Sequence, residues 1–318
     1  MSRFEKTMWK RLDFVAMPLA VLYAGLTRLF YSRQKHWPRS RALMRNMGAY
    51  AGSYHYYMPG VRETDLYRDL DQPRTLLGID LKREQQIERL KWFRFADEFA
   101  QFPKSAKTGT SYHLSSAFPP PDGEVLYTFI RHLKPKRIVE IGSGNSTLLM
   151  LAAIARNRKD DPNISCDLRC VEPFAHPWLE NTGVRIERSR VERLGLEYFE
   201  DLEDGDFLFI DSSHVVRAQN DVVFLYLELL PRLKPGVFVH IHDIFSPRDY
   251  PREWLIENNR QWAEQYLMEA FLQFNPTYEV FLAVNDLAHA APEAFYTACP
   301  MAKSMNWAKG GSFWLRRI

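Results

Sequence analysis

From residue 137 onward, short apolar runs rich in β-branched and aromatic residues alternate with longer stretches of helical spacing. The predicted strands are RIVEI (137–141), LRCVE (168–172), VRIER (184–188), FLFID (207–211), VFVHIHD (237–243), YEVFLAV (278–284) and SFWLRR (312–317). Between them, 147–156, 218–233 and 253–274 are predicted helical. This alternation predicts a Rossmann-like α/β fold, a mainly parallel, doubly wound sheet with helices on both faces. In such sheets ligands bind beyond the carboxyl ends of the strands, so the residues that follow each strand carry the functional information. Upstream, Ile87, Leu90, Phe93 and Phe99 place an apolar face on a helix over 83–99, and 124–133 reads as a second helix. Residues 50–82 read as an irregular connection, and the turn-formers of 101–122 as a loop or lid.

The first fifty residues follow a different pattern. FVAMPLAVLYAGLT (14–27) is fourteen residues without a charge. Lys6, Lys10 and Arg11 precede it; Arg28, Arg33, Lys35, Arg39, Arg41 and Arg45 follow. The run is shorter than the about 20 residues of a simple bilayer span. An interfacial or shallowly inserted helix on an anionic cytoplasmic membrane face, a signal peptide and a packing helix all fit it. Against a signal peptide stand the basic residues from Arg28 onward and the lack of a small-x-small cleavage site. A packing helix implies contact with the body or with a second copy in a homodimer.

Charge sharpens this division. Residues 1–50 hold ten Lys or Arg against Glu5 and Asp13, a net +8; the chain total of +3 leaves −5 on the rest. A body this acidic argues against nucleic acid as a partner. With 46% hydrophobic and 25% charged residues the chain is ordinary globular protein, and Cys166, Cys170 and Cys299 provide neither a disulfide framework nor a zinc knuckle. The organisation expected is an arm over 1–50, a helical leader and lid or acceptor region over 51–122, and a ligand-binding domain over 123–318.

The first strand runs into Glu140-Ile141-Gly142-Ser143-Gly144-Asn145-Ser146-Thr147. Two glycines permit a tight turn and close backbone approach, with the next helix aimed at the same place. Thr147 stands where a dinucleotide fingerprint has its third glycine, and no Gly-Lys-Ser/Thr sequence exists, which excludes a P-loop. A polar, uncharged loop behind an acidic residue suits a zwitterionic amino-acid tail better than phosphates. Glu172 ends the second strand and is placed to accept the hydroxyls of a ribose.

VEIGSGNST (139–147), CVEP (170–173), FLFIDSSH (207–214) and LPRLKPGVFVHIHDIFSPRDYP (230–251) resemble class I S-adenosylmethionine-dependent methyltransferases of the methyltransferase-24-like branch. The likeness is dense over 118–262, and 54–60 and 76–81 resemble that branch's leader; the first fifty residues lie outside it. The resemblance implies a seven-stranded sheet whose final strand is antiparallel. It further implies a donor site in which Glu140, Gly142, Ser143, Gly144, Asn145 and Ser146 hold the methionyl part, Glu172 the ribose, Asp211 the donor's edge, and Ser189-Arg190 the adenine side.

The fourth strand ends at Asp211, with Ser212, Ser213 and His214 behind it; the fifth carries His240, His242 and Asp243. Period two puts both histidines on one face, and adjacent strands bring Asp211, His214, His242 and Asp243 together. Three readings compete. A histidine near its ordinary pKa of about 6.5 can deprotonate an acceptor; Asp211, His242 and Asp243 can bind a divalent metal such as Mg²⁺; or His240 and His242 are hydrogen-bonded core. Related metal-dependent O-methyltransferases carry an amide ligand after the second aspartate, where this chain has Ile244. The function expected is methylation, at oxygen, of a small or lipid-linked acceptor. The alternatives are a donor-binding scaffold without turnover and transfer of another group from a related donor, although the acidic diamine signature of aminopropyl transferases is not evident.

Overall fold

The computed structural model describes residues 3–32, 36–47, 56–305 and 310–318. Seven strands form one sheet: β1 (Arg137–Ile141), β2 (Asp167–Val171), β3 (Arg185–Glu187), β4 (Phe207–Ile210), β5 (Phe238–Ile241), β6 (Tyr278–Ala283) and β7 (Phe313–Arg317). Their order is β3-β2-β1-β4-β5-β7-β6. The first five are parallel, and β7 runs antiparallel to both its neighbours. This is the doubly wound architecture expected from the sequence. The order reverses between β1 and β4, the topological switch point at which such sheets open a ligand crevice.

Period two divides the core between the two faces of the sheet. Ile138, Phe207, Phe209, Phe238 and Trp314 face the helices Asp122–Leu133 and Asn145–Asp160 through Val125, Phe129, Leu149 and Ala153. Val139, Ile141, Leu208, Ile210, Val239 and Ile241 face Val222, Leu225, Leu229, Met268 and Leu272 on the other side. Each such fully buried side chain stabilises the fold by about 1.5–3 kcal/mol. Because Glu140 and His240 share the parity of Ile138 and Phe238, both lie beneath the first face and both are fully buried.

The helices depart from expectation in three places. The helix expected over 83–99 is broken into Arg83–Arg89, Leu90–Trp92 and Ala96–Phe99, as Trp92, Phe93 and Phe95 turn onto the core. The stretch expected over 218–233 starts at Asp221, capped by Asn220, and widens to a π-helix over Leu225–Leu229. Pro231 follows at once and withholds the N–H that a regular turn needs. The helix expected over 253–274 is interrupted between Glu257 and Glu264, where Asn259 adopts φ +47°.

The chain divides into two units, Met1–Tyr67 with Glu253–Gln261, and Arg68–Arg252 with Trp262–Ile318. The first holds the helices Arg3–Ser32 and Pro38–Asn46. The second holds the sheet together with residues 68–122. Within it Arg131 joins Glu98 at 3.0 Å and Asp160 at 2.5 Å, fixing the leader to two helices of the sheet layer. Asp206, just before β4, is buried and accepts hydrogen bonds from the Arg137 and Glu203 amides at 2.9 and 3.0 Å.

Candidate active site

The crevice at the switch point has a volume of about 310 Å³ and is lined by the ends of β1, β2 and β4, among them Gly142, Glu172, Asp211 and Ser212. Gly142 has φ +83°, and a Cβ there would stand 1.7 Å from the Asp211 carbonyl oxygen. Only glycine lets β1 turn so close to β4. Gly144 is extended and a Cβ would meet nothing within 4 Å. It borders open space.

Glu140 lies below this loop rather than in the crevice. It accepts hydrogen bonds from Ser146 Oγ at 2.7 Å and Thr147 Oγ1 at 2.5 Å, with Cys170 Sγ at 3.3 Å. Its role is to shape the loop. Burial pushes its pKa up to about 7 despite those donors. A raised carboxyl pKa gives stability that is full below the ordinary 4.5 and lost as pH rises through about 7. Between pH 5 and pH 8 wild type should lose on the order of 3 kcal/mol relative to Glu140→Gln. Urea unfolding of both proteins at the two pH values measures it; parallel losses would show that Glu140 carries no such shift.

Glu172 accepts from the Ser143 amide at 3.2 Å and the Phe174 amide at 2.8 Å and remains on the crevice wall. Asn145 opens the helix Asn145–Asp160, whose N-terminus closes the loop. Arg190 and Phe174 also line the crevice. Ser212 lines the crevice, and its Oγ is buried with no hydrogen-bond partner among the described residues.

Asp211 joins the crevice to a second group of side chains. Its carboxylate lies 3.3 Å from His214 Nε2 and 3.4 Å from His242 Nδ1. Asp243 stands 3.6 Å from the same two nitrogens. The four residues named from the sequence are therefore together. His214 and Asp243 both take left-handed backbone, φ +60° and +58°, conformations that non-glycine residues hold only where the surroundings fix them.

The electrostatics differ from the sequence expectation of a histidine titrating near neutrality. Burial opposes charge on His214, yet hydrogen bonds to Asp211 and Glu264 bring its pKa up to about 10. His242 is likewise raised, against burial, by Asp243 and Asp211. Burial raises Asp211, but His242 and His214 outweigh it and hold the carboxyl well below its usual range; burial raises Asp243. His240 is core, as one reading had it: Nε2 meets Ser312 Oγ at 2.9 Å, the ring stacks on Phe209, and burial lowers its pKa.

Sequence reasoning missed the residues that hold the histidines. Glu264, fully buried, binds His214 Nδ1 at 2.8 Å and accepts from Tyr226 at 3.2 Å, while Trp262 lies against the His214 ring. Asp122 meets His242 Nε2 at 3.4 Å and accepts from the Gly311 and Ser312 amides. Glu124, two residues on, caps the helix Pro300–Ser304 through the Met301 and Ala302 amides. Of the aromatic run at 54–57, Tyr54 and His55 lie outside the described residues, and Tyr56 and Tyr57 are exposed.

The donor atoms of Asp211, His214 and Asp243 all fall within 4.8 Å of one another, so these three residues fit a divalent cation. His214 has the arrangement of a metal ligand, one nitrogen held by a carboxylate and the other facing the group. The sequence had named His242 as the imidazole of such a set. His242 faces the same two carboxylates, but the mutually close set contains His214.

Residues 139–244 match a family model described as a methyltransferase domain. A protein of Archaeoglobus fulgidus described as uncharacterized is 26% identical over 182 residues, 52% of this chain and 80% of that protein. Among solved structures, an O-methyltransferase from Bacillus cereus in complex with SAH aligns over 73% of this chain and 90% of its own, at 16% identity and TM-score 0.35.

Proposed function

We propose that this chain, whose residues 139–244 match a methyltransferase-domain model, is a class I S-adenosylmethionine-dependent methyltransferase that moves the sulfonium methyl of that donor to an oxygen of a small or lipid-linked acceptor. The observation that carries the reading is the double position of Asp211, which lines the crevice and also touches both histidines. A donor in the crevice presents its methyl to the Asp211–His214–His242–Asp243 group, and an acceptor hydroxyl against that group attacks in line. The O–CH₃ bond forms as the S–CH₃ bond breaks, and the neutral thioether leaves. The hydroxyl proton passes to the Asp243 carboxylate, whose proton affinity burial raises, while the His214 and His242 rings stabilise the charge beside it.

Within the donor site, Glu140 with Ser146 and Thr147 holds the loop, Gly142 and Gly144 let the methionyl part approach, and Glu172 receives the ribose. Asp211, His214 and Asp243 would hold a divalent cation, which when bound supplies Lewis-acid stabilisation of the acceptor oxygen. Trp262 lies against the His214 ring and meets Tyr250 edge to face, which holds the His214 side of the group in place. In-line positioning supplies much of the acceleration.

The test is incubation of the protein with methyl-labelled donor and cell extract, with the labelled product identified by mass spectrometry. His214→Ala and His242→Ala should each lower labelling by about 10²-fold or more. Wild-type turnover in both would refute the assignment. Loss of labelling on chelation and its return with Mg²⁺ supports the cation; insensitivity to chelation supports the side chains alone. Donor binding without product in any extract would favour the scaffold reading.

A further inference from the structure

The helix Arg3–Ser32 is 30 residues long, about 45 Å, with Pro18 inside it. Its window Leu12–Leu29 contains 18 residues suited by composition to crossing a membrane. That is about 27 Å against a hydrocarbon core of about 30 Å. Large apolar side chains along it are exposed, including Phe14 at 76%, Val15 at 71%, Leu19 at 68% and Leu22 at 60%.

A helix lying flat in the headgroup layer needs a strongly polar face. Here Phe14, Val15, Leu19, Val21, Leu22 and Leu26 occupy one side, and the opposite side carries Ala16, Ala20 and Ala24. No charge interrupts 14–27. Apolar character all round is the pattern of a helix surrounded by other apolar matter, and among the described residues these side chains are exposed. In the sequence Lys10 and Arg11 precede the uncharged run and Arg28 follows it, flanking charge that suits the two headgroup layers of a slightly thinned bilayer. Membrane helices tolerate a proline such as Pro18.

We infer that this helix inserts across an anionic phospholipid bilayer, rather than adsorbing to its surface, and tethers the acidic catalytic body to it. Six Lys or Arg follow the uncharged run and four precede it, so the positive-inside bias puts residues 33–318 on the cytoplasmic side. The inference is independent of the reaction.

Full-length protein is expressed, and its membranes are washed with molar salt and then with alkaline carbonate before the intact mass is taken. In parallel, purified protein is floated with phosphatidylcholine vesicles and with vesicles containing phosphatidylglycerol. We expect retention through both washes with the helix uncleaved, and flotation with both vesicles. The double variant Leu19→Arg/Leu22→Arg should lower the retained fraction at least about tenfold, with thermal unfolding of the catalytic body unchanged. Release by salt alone would overturn insertion in favour of surface adsorption. Cleavage after the helix would make it a signal sequence. A soluble dimer that floats with neither vesicle, and that the double variant dissociates, would make it a pairing helix between copies.

Discussion

Replacing Gly144 by valine should leave the protein folded and abolish donor binding, whereas Gly142→Ala should unfold the loop that binds it. At Gly144 the backbone is extended and a side chain meets no protein atom within 4 Å, so the fold has no need of glycine there. The isopropyl group would fill the space through which the methionyl part approaches. Affinity for S-adenosylhomocysteine should fall by at least about a hundredfold, the equivalent of about 2.7 kcal/mol, with the thermal midpoint unchanged. Gly142 is the opposite case. Its φ of +83° and the 1.7 Å approach to the Asp211 carbonyl make any side chain displace β4 from β1. Left-handed strain and overpacking together should cost about 3 kcal/mol or more. Calorimetry and thermal unfolding of both variants separate the two glycines; equal behaviour would mean that the crevice is not the donor site.

Glu264→Gln should lower turnover by about ten- to a hundredfold while S-adenosylhomocysteine binding stays within about twofold of wild type. Glu264 reaches neither the crevice nor the Asp243 carboxylate; it acts through His214, fixing Nδ1 so that Nε2 faces Asp211 and Asp243. Glutamine keeps an oxygen that accepts the Nδ1 hydrogen but removes the charge. Glu264→Leu removes both and should be slower again. Turnover equal to wild type in Glu264→Gln would reduce Glu264 to a packing residue. Tyr226→Phe removes one donor to Glu264 at 3.2 Å and should have a smaller effect in the same direction.

The chemistry that was legible in the sequence lies at strand ends. Strand period and neighbour order place Asp211, His214, His242 and Asp243 together without any knowledge of side-chain conformation. The residues that set their charge were hidden for a physical reason. Glu264 reaches His214 across 50 positions and Asp122 reaches His242 across 120, from helices whose own patterns carry no chemical signature. Without those partners and the paired aspartates, an imidazole reads as an ordinary base near neutrality. Glu140 shows the same limit at short range. Its place before the glycines was visible, but whether its carboxylate met ligand or loop depended on Ser146 and Thr147 folding back over it. The helix breaks were hidden too, because Pro231 and Asn259 act only in combination with the packing around them.

The central claim is that the crevice between β1 and β4 binds S-adenosylmethionine and its demethylated product. Isothermal titration of the full-length wild-type protein with S-adenosylhomocysteine tests it most directly. The account predicts one saturable site per chain, lost in Gly144→Val. No heat of binding at millimolar ligand, from protein shown to be folded by thermal unfolding, would contradict it.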